Sequence, residues 1–148
     1  MPSRPVPHFI LEAHEVHVGD QHDVDWTLSS DWVEECRLRE ERNEMIRAQL
    51  ARGKTVAFRQ SGWSLFPRVH SNDLCSYQPV QFEHQIDTGD VVFCTVQPRG
   101  HYYAHLIKEK EWDYTRRGWK YCISNLAGRV NGHCFIEHVY GKLFQVLH

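Results

Sequence analysis

The chain has 148 residues, 41% hydrophobic and 24% charged, with a formal net charge of −2. A single domain of this size buries about two-thirds of the surface its unfolded chain exposes, so it needs no disulfide or metal staple. The small negative charge argues against a general nucleic-acid binder, which carries a clustered basic surplus.

The longest clean apolar runs, such as Val91–Cys94, fall far short of the ~20 residues that cross a bilayer. The N-terminus lacks the charged-then-apolar layout of a secretory signal. Both features predict an intracellular, cytoplasmic protein without a membrane span. The five cysteines are odd in number and form no Cys-x-x-Cys pair, which fits thiols in a reducing compartment. His133, Cys134 and His138 crowd together, but their spacing matches no standard zinc pattern, and no metal or cofactor is expected.

In chain order, Pro2, Pro5 and Pro7 break any early helix, and residues 1–28 read as an irregular arm, either poorly ordered or laid extended on the body. Residues 29–148 read as one β domain with a leading helix over 31–52. Asp31 suits the N-cap, with Glu34 three positions on completing a capping-box-like pair. No Gly or Pro interrupts the span, and Gly53 ends it. Trp32, Cys36, Ile46 and Leu50 fall near one face, with Val33 and Met45 beside it, while Arg37–Arg42 is strongly charged. That pattern predicts an amphipathic helix packed by both ends around a solvated centre.

From Lys54 onward short β-like runs alternate with turn signals. The strands predicted are Thr55–Arg59, Leu74–Tyr77, Asp90–Val96, His101–Lys108, Trp119–Ser124 and Phe135–Leu147, the last bent at Gly141. Turns are marked by Ser61-Gly62, Asn72-Asp73, Thr88-Gly89, Pro98-Arg99-Gly100, Arg117-Gly118 and Asn131-Gly132. The expected fold is mainly β: an antiparallel barrel-like or coiled β-sheet body with one N-terminal amphipathic helix. The aromatics Trp63, Tyr102, Tyr103, Trp112 and Trp119 read as core or rim packing.

The chemically informative segment is Ser61-Gly62-Trp63-Ser64-Leu65-Phe66-Pro67. A glycine two positions before a serine lets the backbone turn sharply after a strand and present the hydroxyl. Downstream come Asn72-Asp73-Leu74, then Thr88-Gly89-Asp90-Val91-Val92-Phe93, the strand His101–Ile107, and a late Gly141-Lys142-Leu143. This ordered series resembles the serine peptidase domain of the signal peptidase and self-cleaving repressor group, and is most similar to its histidine-type signal peptidases. The likeness runs from Leu50 to Val146.

The resemblance implies a serine endopeptidase-like hydrolase in which Ser64 is the nucleophile and His105 the general base. It also implies a peptide or protein substrate held as an extended strand. The chemistry agrees: a serine hydroxyl needs a neighbouring base to take its proton, and imidazole is largely neutral near pH 7. His101 and Lys108 are rivals for the base; strand alternation puts His101, Tyr103, His105 and Ile107 on one face and Lys108 on the other. The Ser64 N–H is the natural oxyanion donor, with Gly62 supporting the turn and Ser61 a further candidate hydroxyl.

Four positions depart from the group's pattern. Leu65 stands for methionine, Asn72-Asp73 for Gly-Asp, and Leu106 for an arginine after the base. The acid that orients histidine in many relatives falls near Gly128–Asn131, where there is no aspartate; Asn131 or Asp113 could substitute. These departures sustain an alternative reading, a catalytically inactive peptidase-like fold that binds peptides or other proteins. A third reading is an unrelated β domain, one version of which binds a metal through His and Cys.

Overall fold

In a computed structural model of the chain, residues 9–11 and 30–147 are described. The strands are β1 (Phe9–Leu11), β2 (Val56–Gln60), β3 (Asp73–Pro79), β4 (Val91–Val96), β5 (His101–Asp113), β6 (Gly118–Ser124), β7 (Val130–Cys134) and β8 (Val139–Leu147). One helix, α1 (Ser30–Ala51), precedes β2, and short 3-10 turns occupy Glu83–Gln85 and Ile136–His138. All strands form one sheet in the order β1-β2-β3-β8-β4-β5-β6-β7. Every pairing is antiparallel except β1 against β2. The fold is mainly β, as expected, and the sheet is not closed into a barrel.

β4 shows why the sheet curls. All six of its residues are buried, so both faces of this inner strand are covered. Val91 and Phe93 point into one core with Val56, Phe58, Tyr77 and Leu143. Val92, Cys94 and Val96 point into a second, with Ile107, Tyr121, Ile123 and Cys134. The second core is wrapped by β4 to β7, and an isolated bridge joins Gln97, just after β4, to His133 on β7.

α1 covers the first core. Ile46 and Leu50 are buried in it, and Arg47 donates to the Tyr102 hydroxyl at 3.2 Å while lying over the Tyr140 ring. The helix therefore docks on the β body through its C-terminal half. Leu38 and Met45 are exposed and Cys36 is half-buried, so the apolar stripe is narrower than predicted. The side chains of Trp32 and Val33 lie outside the described residues. The charged centre is solvated only in part: Arg37 is exposed and paired to Glu34 and Glu41, while Arg39 and Arg42 are half-buried. Asp31 falls inside the first turn, not at the cap, because the helix begins at Ser30. At the other end Gly53 N–H bonds to Leu50 O and Lys54 N–H to Gln49 O, the paired closure of a Schellman motif.

Three further differences have local causes. Part of the N-terminal arm, Phe9–Leu11, pairs with Val56–Phe58 as a strand; the rest of the arm lies outside the described residues. β5 runs on to Asp113, five residues past the predicted end, pairing with β6 through Trp112–Trp119. Asn131-Gly132 is not a turn between strands: it lies within β7. No helix among the described residues is long and apolar enough to cross a membrane.

Candidate active site

Three chain segments from different parts of the sheet meet at the His105 ring. The first is the loop 61–72 between β2 and β3. Its neck is closed by Asn72 N–H donating to Gln60 O at 2.6 Å, and its underside is anchored by buried Leu65 and Val69. Gly62 takes a φ of +95°, which permits the sharp turn after β2, and its N–H donates to Ser71 Oγ. Ser64 is thereby raised to the surface on a fixed base. Its carbonyl also accepts from Leu126 N–H at 2.8 Å, which ties the loop to the β6–β7 connection.

The second segment is β5. His105 pairs across from Val92 on β4, and its half-buried ring packs beside Tyr103 with centroids 5.0 Å apart. His105 Nε2 lies 3.0 Å from Ser64 Oγ, although the residues are 41 positions apart in the chain.

The third segment is β7. Ser124 on β6 faces Val130 and Ile123 faces Gly132, so Asn131 is the extra residue of a β-bulge. A bulge re-aims a side chain that regular pairing would direct elsewhere. Here it brings Asn131 Oδ1 to 2.6 Å from His105 Nδ1. A carbonyl oxygen only accepts, so Nδ1 carries the proton and Nε2 of the neutral ring presents its lone pair to the Ser64 hydroxyl. This is the tautomer a general base requires.

The electrostatics favour the neutral form of that ring. Burial holds the His105 pKa below its ordinary value, and the hydrogen bond with Asn131 opposes the shift without reversing it. Among the described residues the ring's hydrogen-bond partners are Asn131 and Ser64, neither of them a carboxylate.

The other candidates fall elsewhere. His101 is exposed at the start of β5. Lys108 is exposed on the far side of a register shift and reaches toward Gly128 O at 3.5 Å. Asp113 accepts from Arg116 N–H in the β5–β6 turn, eight residues along the strand from His105, about 26 Å at ~3.3 Å per residue. Of the two proposed substitutes for the missing acid, Asn131 is the one beside the histidine. Ser61 lines the same cavity as Ser64, with no hydrogen bond between their side chains. The Gly62 N–H is used by Ser71, while the Ser64 N–H has no backbone acceptor among the described residues.

The cavity has a volume of about 330 Å³. Its walls come from the loop, from Tyr102–His105 of β5, and from Arg39, Arg42 and Asn43 of α1. The helix residues were not singled out from the sequence, where they read as part of a solvated charged stretch. The bulge that delivers Asn131 left no signal beyond the Asn-Gly pair itself.

His133 and His138 do not converge on one point. His133 packs edge-on against Phe135, while His138 Nδ1 accepts from Phe135 N–H. Among the described residues no group of three or more His, Cys, Asp or Glu side chains is placed to hold a metal ion. No family model, curated protein or solved structure matches the chain.

Proposed function

We propose that the protein is a serine endopeptidase-like hydrolase that cleaves peptide bonds with Ser64 and His105, Asn131 acting as the positioning residue. The observation that carries this reading is the contact of Ser64 Oγ with His105 Nε2 at 3.0 Å, on a ring whose other nitrogen is held by Asn131. A hydroxyl within hydrogen-bond reach of an oriented, neutral imidazole is the arrangement nucleophilic acyl transfer needs. The order of sequence motifs, which resembles that of the signal peptidase and repressor group, supports the same reading.

The step follows from the geometry. As Ser64 Oγ bonds to the scissile carbonyl carbon, its proton passes to His105 Nε2. The carbonyl oxygen takes up the negative charge and faces the Ser64 N–H, a donor of the kind worth about 10²–10³ in rate. Collapse breaks the C–N bond, and the imidazolium returns the proton to the departing amine. Water, deprotonated by the same nitrogen, then hydrolyses the acyl-enzyme and frees Ser64. A peptide lying extended along the open cavity presents its carbonyl to this pair.

One observation favours a second reading, a peptide-binding module without catalysis: the group behind His105 is a neutral amide. A carboxylate there would stabilise the imidazolium that forms in the transition state; an amide fixes orientation but supplies no countercharge. Exposure of the wild type and Ser64→Ala to a broad peptide library, read by mass spectrometry, separates the two. Cleavages present in the wild type and absent from Ser64→Ala are expected. Equal peptide binding with no Ser64-dependent cut contradicts the hydrolase reading and leaves the binding module.

A further inference from the structure

The cavity beside Ser64 has a charge pattern that the cleavage chemistry does not use. Arg39 and Arg42 line it from α1, and no Asp or Glu stands among its lining residues within the described part of the chain. The chain as a whole is slightly acidic, so two guanidinium groups in the same cavity run against the average.

Several other charges on α1 are held by named partners, while Glu40 lines a neighbouring recess with Arg39. Arg37 pairs with Glu34 and Glu41, Arg47 bonds to Tyr102 and lies over Tyr140, and Glu44 accepts from the Tyr102 hydroxyl at 2.7 Å. Arg42 lies over the Phe58 ring, 5.6 Å from its centroid, and reaches toward Arg59 O. Arg39 is different: its hydrogen-bond contact among the described residues is to Cys36 Sγ at 3.8 Å, a weak acceptor at long range. It is half-buried, in a recess where water screens a charge less than on open surface.

The rest of the lining suits an anionic group on a short chain. Asn43, Gln60 and Ser61 offer neutral hydrogen-bonding groups, and Phe58 and Phe93 supply an apolar wall. Tyr102 adds no negative charge, because burial pushes its phenol up to about 12. A guanidinium fork matches a carboxylate with two parallel N–H···O bonds.

We infer that this cavity is a subsite for a substrate carboxylate, with Arg39 as its cation. The inference rests on the hydrolase reading above and specifies its substrate: a peptide with an acidic group next to the bond that Ser64 attacks. Two sources share that chemistry, an Asp or Glu side chain and a free C-terminal carboxylate.

The test takes any peptide cut in a Ser64-dependent way and makes matched quenched-fluorescence versions with Glu replaced by Gln, Asp by Asn, and the C-terminus free or amidated. A hydrogen-bonded charge pair of this kind corresponds to about ten- to a hundredfold in kcat/KM. The wild type is expected to prefer the acidic member by that factor. The preference is expected to fall toward unity in Arg39→Gln and to recover partly in Arg39→Lys. Loss of cleavage on amidation alone assigns the carboxylate to the chain terminus; loss on Glu→Gln or Asp→Asn alone assigns it to a side chain. Ser64-dependent cleavage with equal rates on acidic and amide peptides overturns the subsite and leaves the hydrolase standing. Absence of Ser64-dependent cleavage across the library overturns both.

Discussion

His105 Nδ1 lies 2.6 Å from Asn131 Oδ1, so the side chain that orients the imidazole is uncharged. It selects the tautomer in which Nε2 faces Ser64, and it leaves burial as the dominant influence on the ring's acidity. Orientation and charge stabilisation, which one carboxylate often combines, are here separable. Asn131→Ala removes the orientation, and kcat/KM is expected to fall by about 10² or more, toward the ~10⁴ cost of a wrongly held imidazole. Asn131→Asp places a carboxylate on Nδ1 and raises the His105 pKa. An NMR titration of the His105 ring protons in both variants measures the shift directly.

Acidity of the medium acts through the same ring. Burial places the folded-state pKa of His105 below its ordinary value of 6.5, so neutral imidazole persists at pH 7 and is lost only further down. The rising limb of kcat/KM against pH is expected below 6.5. Stability follows the same direction. In the window between the unfolded value near 6.5 and the lower folded value, the unfolded chain binds more protons, so stability falls as pH falls. His133 and His138 are also held low, by burial first and then by nearby cations, and add to the slope. Urea midpoints at pH 7.5 and pH 5.5 check the sign: the lower pH gives the lower midpoint.

Assignment of the base is a question of position on β5. His105→Ala is expected to lower kcat/KM by about 10²–10⁴, the usual worth of a positioned general base. His101→Ala and Lys108→Ala are expected to stay within a few-fold of wild type, since His101 is four residues along the strand and Lys108 points toward Gly128. Parallel kinetics on the three variants measure it.

The pairing of Ser64 with His105 was legible through the order of motifs that resembles the signal peptidase group, because the local signals alone are weak and do not separate His105 from His101. Gly62 two residues before the serine marks a turn that presents a side chain, and the alternation of His101–Ile107 assigns faces without any tertiary information. β4 was legible from its own residues, since Val91–Val96 is a β-forming run with no polar break other than Thr95. The second half of β5 was not, because Lys108–Glu111 is charged and that stretch keeps water beside it while pairing with β6. β7 was hidden by Asn131-Gly132, which signals a turn in isolation; pairing with β6 and the bridge to Gln97 override that local preference. Ile46 and Leu50 read as part of a helix face packed by both ends, but where that face docks, and so the part of Arg39 and Arg42, depends on tertiary contacts that the local pattern does not carry.

Gly132 carries a prediction of its own. A Cβ there would lie 2.5 Å from Val96 Cγ1 and 2.6 Å from the Gln97 carbonyl oxygen, and the φ of +147° is one that other residues rarely adopt. Backbone cannot yield as a flexible side chain can, so Gly132→Ala must push β7 away from β4. A loss of about 1–3 kcal/mol is expected from the overpacking. Asn131 is the neighbouring residue of the bulge, so kcat/KM is expected to fall as well. Urea unfolding and peptide cleavage on the same preparation test the coupling; a stable variant with full activity would remove the bulge from the account.

The central claim is that His105 activates the Ser64 hydroxyl. An uncharged alkyl fluorophosphonate reports on this directly, since it phosphonylates an activated serine and loses fluoride. Intact-mass analysis followed by peptide mapping is expected to show one adduct, on Ser64, forming at pH 7.5 at least about 10²-fold more slowly in His105→Ala. Failure of Ser64 to react, or reaction at the same rate without His105, would contradict the claim.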